Sequence, residues 1–378
     1  MRSKNATHLV SKHEIATSDG DRNKAASPIK SALQNQPPLI LSNPGEMPTG
    51  PIQSLPRVIT ELGGNPQRVF RAAGIDLDTF VNDPEQRLGL DETARLLNTA
   101  IRHTQCSSIG LLVGKYFCLN DLGLIGQLML AADTVEDALH DLVIHSKLHD
   151  RGGAPLLLPL TDPFCLLGYV LHHQELTDPR SLIDTLIMIG FQIFRELLGP
   201  DWTPIRVQLA YHRPSDSAAY TRAFRCPVEF NTSISGLVVS TTKLGQKLET
   251  ADPHLHQLLQ ETISATTAGL KISELITYQL PSMLLAGEAK AELIASWVGL
   301  HIRTLHRRLN ADGTNLQKII NESRKNLAIQ MLKNTDLPIS VIAQSLQYQD
   351  QNTFSRAFKA WVGRAPGHWR THPICEDP

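Results

Sequence analysis

Apolar residues recur every three to four positions along most of this 378-residue chain, and they alternate or run together only in short stretches. The helical period predicts helices over Ile52–Leu62, Pro66–Ala73 and Asp91–Thr104, with Leu90, Ala94, Leu97 and Ile101 on one face. Pro66 suits a first helical turn. Ile109–Tyr116 and Leu122–Ala131 continue the pattern. Thr134–Lys147 is a further helix, capped by Thr134, with Glu136 and Asp137 at its positive end. The texture then changes. Ala154–Leu160 and Cys165–His172 read as paired strands around a Thr-Asp-Pro turn, and Ser181–Leu198 as a long apolar helix. Ile205–Tyr211, Val228–Phe230 and Gly236–Val239 read as strands, and Ala218–Phe224 as a short helix. Pro253–Thr262 and Ile272–Leu280 are helical, with a Thr-Thr-Ala-Gly break between them.

The last hundred residues repeat one layout. Leu293, Ile294, Trp297 and Val298 precede Gly299, and Ile302–Leu309 follows as a second helix. About 45 residues on, Ile339, Val341, Ile342, Ala343 and Leu346 lead through a break at Tyr348–Asp350 to Gln351–Lys359. Each is a helix-turn-helix pattern whose second helix has a basic, amide-rich outer face able to enter a DNA major groove. Between them, Leu316, Ile319, Ile320, Leu327, Ala328, Met331 and Leu332 share one face of Asn315–Leu332, a rod of about 27 Å. Major grooves repeat every ~34 Å, so such a rod can hold two recognition helices in successive grooves. The fold class expected is mostly α. An α+β N-terminal domain precedes an all-α C-terminal domain with two helix-turn-helix motifs joined by a long helix. The boundaries follow: a disordered tail over 1–50, rich in Ser, Asn, Lys and Pro; a large α+β domain over 51–245; a helical connector over 246–275; and a DNA-binding domain over 276–373. Its motifs lie at about 291–310 and 339–360.

Charge sharpens this division. The whole chain carries −1, yet residues 286–372 hold twelve Lys/Arg and six Asp/Glu, so a basic module sits on an acidic remainder. Five scattered cysteines without a Cys-x-x-Cys pair suggest a reducing compartment. The polar N-terminus has no apolar core of a leader, and Ser108–Val113 and Leu182–Leu198 are too short or too interrupted to span a bilayer. A cytoplasmic location without membrane contact is expected.

The C-terminal region resembles the DNA-binding domain of AraC-type transcriptional regulators. The carrying residues begin with Leu293-Ile294-Ala295, Gly299-Leu300, Arg303–Leu309, Gly313-Thr314, Arg324, Ala328 and Leu332. The densest run is Ile342-Ala343, Tyr348, Asp350, Phe354–Lys359, Trp361, Gly363, Pro366 and Arg370. Around Leu122–Gly126 and Ala138-Leu139 the large domain also resembles the arabinose-binding-like effector domain of one subgroup. The resemblance implies an activator that binds double-stranded promoter DNA, contacts RNA polymerase and answers to a small-molecule effector; a homodimer is also plausible. Two positions depart from the family pattern. Gln347 stands where Gly usually precedes the aromatic of the second turn, at a cost of roughly 1 kcal/mol if φ is positive. His301 stands where Ser or Thr usually caps the first recognition helix.

Leu305 and Leu309 must face the core, which leaves Arg303, His306 and Arg307 outward; by resemblance these match base-reading positions. Arginine can bind guanine O6 and N7 bidentately. In the second helix Phe354 and Phe358 are core, leaving Gln351, Asn352, Ser355, Arg356 and Lys359 as DNA contacts. Gln and Asn suit adenine, and Lys359, like Thr353, suits the backbone. Trp297 and Trp361 are expected in the core, and Arg370 as an ion-pair or carbonyl partner. No cofactor or metal is expected. His254 and His256 do not share a helix face, and His172 and His173, near Glu175, point to opposite faces of a strand. No phosphate loop, nucleophile elbow or zinc-protease motif occurs, so an enzyme is not expected. The rival reading is a ligand-independent regulator whose N-terminal domain only dimerises or binds another protein, with Leu122–Leu130 and Leu182–Leu198 as interface or core.

Overall fold

The computed structural model describes Asn43 and residues 45–372, except 84–85, 149, 173–175, 177, 268–270 and the side chains of 265–267. The expectations for residues 1–42, His173 and Glu175 lie outside the described residues. The chain opens with strand β1 (Glu46–Pro48), a short 3₁₀ turn at Gly50–Ile52, and helices α1 (Leu55–Glu61), α2 (Pro66–Ala73) and α3 (Leu77–Asn82). Strand β2 (Arg87–Gly89) pairs antiparallel with β1. Strand β1 and the start of the 3₁₀ turn lie inside the segment expected to be a tail: Met47 is buried and joins the core of α1–α3. Helices α4 (Leu90–Thr104), α5 (Ile109–Gly114), α6 (Leu124–Ala131) and α7 (Val135–His145) follow. Thr134 caps α7 by accepting from the Asp137 amide.

Strands β3 (Gly153–Pro159) and β4 (Phe164–Leu171) lead to the long helix α8 (Arg180–Leu198), then β5 (Arg206–Leu209), α9 (Ser217–Phe224), β6 (Val228–Phe230) and β7 (Ser235–Ser240). The sheet order is β3-β4-β7-β5-β6; β5 and β6 run parallel and the other pairs antiparallel. Successive residues of a strand face opposite sides. Leu167, Leu237 and Val207 sit side by side on one face and pack against α8. Leu156, Leu158, Leu166, Val170 and Val238 occupy the other. Both faces are dry, which explains the unbroken Leu156-Leu157-Leu158 run.

Helix α10 (Thr241–Leu244), α11 (Pro253–Thr267) and α12 (Ile272–Leu285) carry the chain to α13 (Ala291–Trp297), α14 (Ile302–Ala311), α15 (Leu316–Asn334), α16 (Ile339–Ser345), α17 (Gln351–Val362) and α18 (Pro366–Thr371). No seam follows residue 275, which lies inside α12. The outer face of β3, β4 and β7 shares one core with Ile276, Leu280 and Leu284 of α12 and with the apolar faces of α13–α18. Polar contacts bind the same junction. Arg151 pairs with Glu274 at 3.1 Å, and the Gln330 amide donates to the Leu171 carbonyl at 2.7 Å. Lys333 donates to the Leu176 carbonyl at 3.0 Å. The regulatory sheet and the DNA-binding helices are thus packed as one body, where the sequence alone suggests modules on a connector.

Candidate DNA-recognition surface

Both helix-turn-helix units turn through the same backbone device. Gly299 takes φ +65° after α13, and the Leu300 amide closes back on the Ala295 carbonyl at 2.9 Å. Gln347 takes φ +62° after α16, and the Tyr348 amide closes on the Ala343 carbonyl at 2.9 Å. These are equivalent helix ends with a left-handed residue at the same place. Glycine adopts that conformation freely; Gln347 does so against its Cβ. Its side chain has its own anchor: Nε2 donates to the Leu284 carbonyl and to that of Met283 at 3.2 Å. The strained turn of the second unit is therefore fastened to the end of α12. Sequence reasoning flagged the strain and missed the anchor, because no local spacing links residues 283–284 to 347.

Helix α14 begins at His301, whose ring Nδ1 accepts from the Arg303 amide at 3.3 Å, a long bond for a cap. Leu305 and Leu309 are fully buried, and Arg303, His306 and Arg307 lie together on the exposed side, joined by Arg308. Asp350 caps α17, accepting from the Thr353 amide and hydroxyl, both at 2.8 Å. Phe354 and Phe358 are fully buried; Gln351, Asn352, Arg356 and Lys359 are exposed, and Ser355 is half-buried. Arg356 lies one turn from Asn352, and Lys359 one turn from Ser355. Thr353, expected against the DNA backbone, has its hydroxyl turned to Asp350.

Helix α15 separates the two units. Asn315 caps it by accepting from the Lys318 amide at 2.9 Å, and every apolar residue expected on its inner face is buried. Nineteen residues make about 28 Å of rod. Arg324 lies over the Tyr348 ring, 4.7 Å from its centre, tying rod to second turn. Arg370 donates to the Leu337 carbonyl at 2.7 Å and is structural.

Trp297 corrects the expectation of a core residue. It is 36% exposed, as Leu293 is at 43%, and it meets Lys147 of the regulatory domain, whose Nζ lies 5.6 Å from the ring centre. The core of α13 is instead Ile294 and Ala295. Trp361 is half-buried among Tyr348 and Phe358. The histidines considered for metal are dispersed. His256 pairs with Asp141 at 2.6 Å across α11 and α7, and His172 stacks edge-on to Tyr278. Burial pushes the His172 ring down to about 4.

Two family models match the chain. Residues 63–248 match the arabinose-binding domain of AraC transcription regulator, N-terminal, and residues 294–372 match a helix-turn-helix domain. The chain belongs to the AraC-type transcriptional regulators. This AraC-type regulator is similar to the ornithine utilization regulator of Pseudomonas aeruginosa, 26% identical over 334 residues, covering 86% of this chain and 97% of that protein. It is also similar to the HTH-type transcriptional regulator VirS of Mycobacterium tuberculosis, 24% identical over 319 residues, covering 83% and 93%. Among solved structures it is similar to the transcriptional regulator CdpR from Pseudomonas aeruginosa, at 20% identity and a TM-score of 0.39, covering 83% of this chain and 97% of that one. These relatives are regulators, not enzymes. Among the described residues no helix is long and apolar enough to cross a membrane. The AraC-type regulator thus joins a DNA-binding double helix-turn-helix domain to a domain of the ligand-binding type.

Proposed function

We propose that this AraC-type regulator reads two successive major grooves of promoter DNA, and that a small effector in the N-terminal domain sets how well it does so. The reading of bases falls to Arg303, His306 and Arg307 in one groove and to Gln351, Asn352, Ser355 and Arg356 in the next, with Lys359 on phosphate. The observation that carries the gating is the position of α12. Its Tyr278 hydroxyl meets Ser146 of the regulatory domain at 2.9 Å, and its last carbonyls receive Gln347 from the turn before α17. A ligand that favours one seating of α12 against β3 also favours one seating of the second recognition helix, and DNA of the right sequence selects the same arrangement.

The rival, a regulatory domain that only dimerises or binds another protein, has little apolar surface to offer in one of its two segments. In Leu182–Leu198, the residues Leu182, Ile187, Met188, Ile189, Phe191, Ile193, Phe194 and Leu197 are all buried. Activation through RNA polymerase is carried over from the family resemblance, and action as a homodimer is a separate part of the proposal. A relative named transcriptional activator NphR, from a Rhodococcus species, is 32% identical over 77 residues, covering 20% of this chain. A gel-shift experiment on the promoter regions flanking the gene tests the proposal. Preference over random duplex at ~150 mM salt supports it, and equal affinity for both overturns it.

A further inference from the structure

The glycines of the regulatory domain are not alike. On α5, a Cβ at Gly110 would come within 2.2 Å of the Ser181 carbonyl oxygen, and one at Gly114 within 2.6 Å of that of Thr185. Those two glycines let α5 lie against the backbone of α8. Gly190, in the middle of α8, has no such reason. A Cβ there would meet only Leu237 Cδ1 at 3.5 Å and Leu167 Cδ2 at 3.7 Å, which are ordinary contacts. Its φ is not positive, and a mid-helix glycine is destabilising against alanine. What the missing side chain leaves is space. Gly190 lines a cavity of about 80 Å³ between α8 and the sheet, walled by Ile125, Leu142, Leu167, Ile193 and Leu237. The polar members of the wall are Ser146, Asp150 and Tyr169.

Asp150 is unusual within that wall. Its carboxyl accepts from the Tyr169 hydroxyl and from the Gly152 amide at 2.8 Å, but among the described residues it has no ion-pair partner. The neighbouring Arg151 is engaged with Glu274. Burial pushes the carboxyl up to about 6, against the Tyr169 hydroxyl, the Gly152 and Gly153 amides and the positive charge of Arg87. A buried carboxylate beside an apolar cavity, whose hydrogen bonds come from a hydroxyl and backbone amides, is complemented by a cation carried in on an apolar body. The volume is about half that of an apolar cavity that accepts benzene, so the body is short, on the order of four carbons.

We infer that this cavity is the effector site and that its ligand is a small primary amine, the ammonium on Asp150 and the aliphatic chain against Gly190. The inference rests on the effector-gated reading above and gives it a place. Ser146 lines the same cavity and holds Tyr278 of α12. An ammonium arriving at Asp150 therefore acts one side chain away from the helix that anchors Gln347.

The test is a thermal-shift series on the full chain with n-propylamine, n-butylamine and n-hexylamine, beside n-butanol and butyrate. It is run on the wild type, Gly190→Val and Asp150→Asn, each first shown to melt cooperatively. The result expected is a Tm rise with n-butylamine of at least a few degrees at millimolar ligand. That rise should be absent with butyrate, lost in Asp150→Asn and lost in Gly190→Val. No rise with any amine overturns the assignment, and so does a rise that survives in Gly190→Val or is matched by n-butanol. A gel shift with the small-molecule ultrafiltrate of host cells separates this from the underlying proposal. If the ultrafiltrate changes DNA affinity equally in wild type and Gly190→Val, gating stands and this cavity falls. If amines bind as expected but no small molecule changes DNA affinity, the cavity stands and gating falls.

Discussion

Gln347 is the position where two opposing terms can be measured against each other. Its backbone sits at φ +62°, where a side chain costs roughly 1 kcal/mol relative to glycine. Its amide nitrogen recovers part of that through the Leu284 and Met283 carbonyls, at about 1 kcal/mol for a typical net hydrogen bond. Gln347→Ala keeps the strained backbone and loses the anchor, so it should destabilise by about 1–2 kcal/mol. Gln347→Gly loses the anchor but relieves the strain, so the two changes nearly cancel and stability should stay within about 0.5 kcal/mol of wild type. Urea unfolding followed by circular dichroism resolves a difference of this size. The anchor also has a functional reading. Gln347→Gly, though stable, should uncouple the turn from α12, so the effect of ligand on DNA affinity should shrink. Equal midpoints for the alanine and glycine variants would refute the strain argument, and full ligand response in a stable Gln347→Gly would refute the anchor as a link.

Two further outcomes follow from the same contacts. Asp184 is buried mid-α8, accepting from Tyr211 and from Tyr220 at 2.7 Å, and burial pushes its carboxyl up to about 7. A raised native value means that its stabilisation is complete below the ordinary 3.8 and is lost as pH rises through about 7. His172, pushed down to about 4, titrates in the opposite sense over part of that range, so the difference between variants is the readout. The Tm of Asp184→Asn relative to wild type should rise between about pH 5 and pH 8, and a flat difference contradicts the assignment. His301→Ser replaces a 3.3 Å ring cap with a hydroxyl cap and should add about 0.5–1 kcal/mol, measured by urea unfolding; a loss would mean that the ring holds the helix in some other way.

The C-terminal half was legible because its signals are local. Leu305 with Leu309 and Phe354 with Phe358 stand four residues apart on helices whose caps, His301 and Asp350, lie next door. Short elements without a full period, such as Leu77–Asn82, Pro366–Thr371 and the three-residue β1 and β2, gave no pattern to read. Helix α13 has only seven residues with apolar side chains on both sides, so periodicity could not tell Ile294 and Ala295 from Leu293 and Trp297. The contacts behind the proposed gating were hidden for another reason. Ser146 and Tyr278 are 132 residues apart, Gln347 and Leu284 are 63 apart, and Gly190 matters for the side chain it lacks. Such relations belong to tertiary packing, and the double burial of β3 and β4 was visible in Leu156-Leu157-Leu158 without naming what covers them.

In the proposed reading one packed body spans two grooves, with Arg307 and Arg356 in separate ones. Selection of bound sequences from a random duplex pool, with wild type, Arg307→Ala and Arg356→Ala, tests it most directly. Two blocks of preferred bases about 10–10.5 base pairs apart are expected. Arg307→Ala should flatten one block and Arg356→Ala the other, each at a cost of about 1–3 kcal/mol on the preferred site. A single block, or two variants that weaken every sequence evenly while leaving the preference intact, would contradict it.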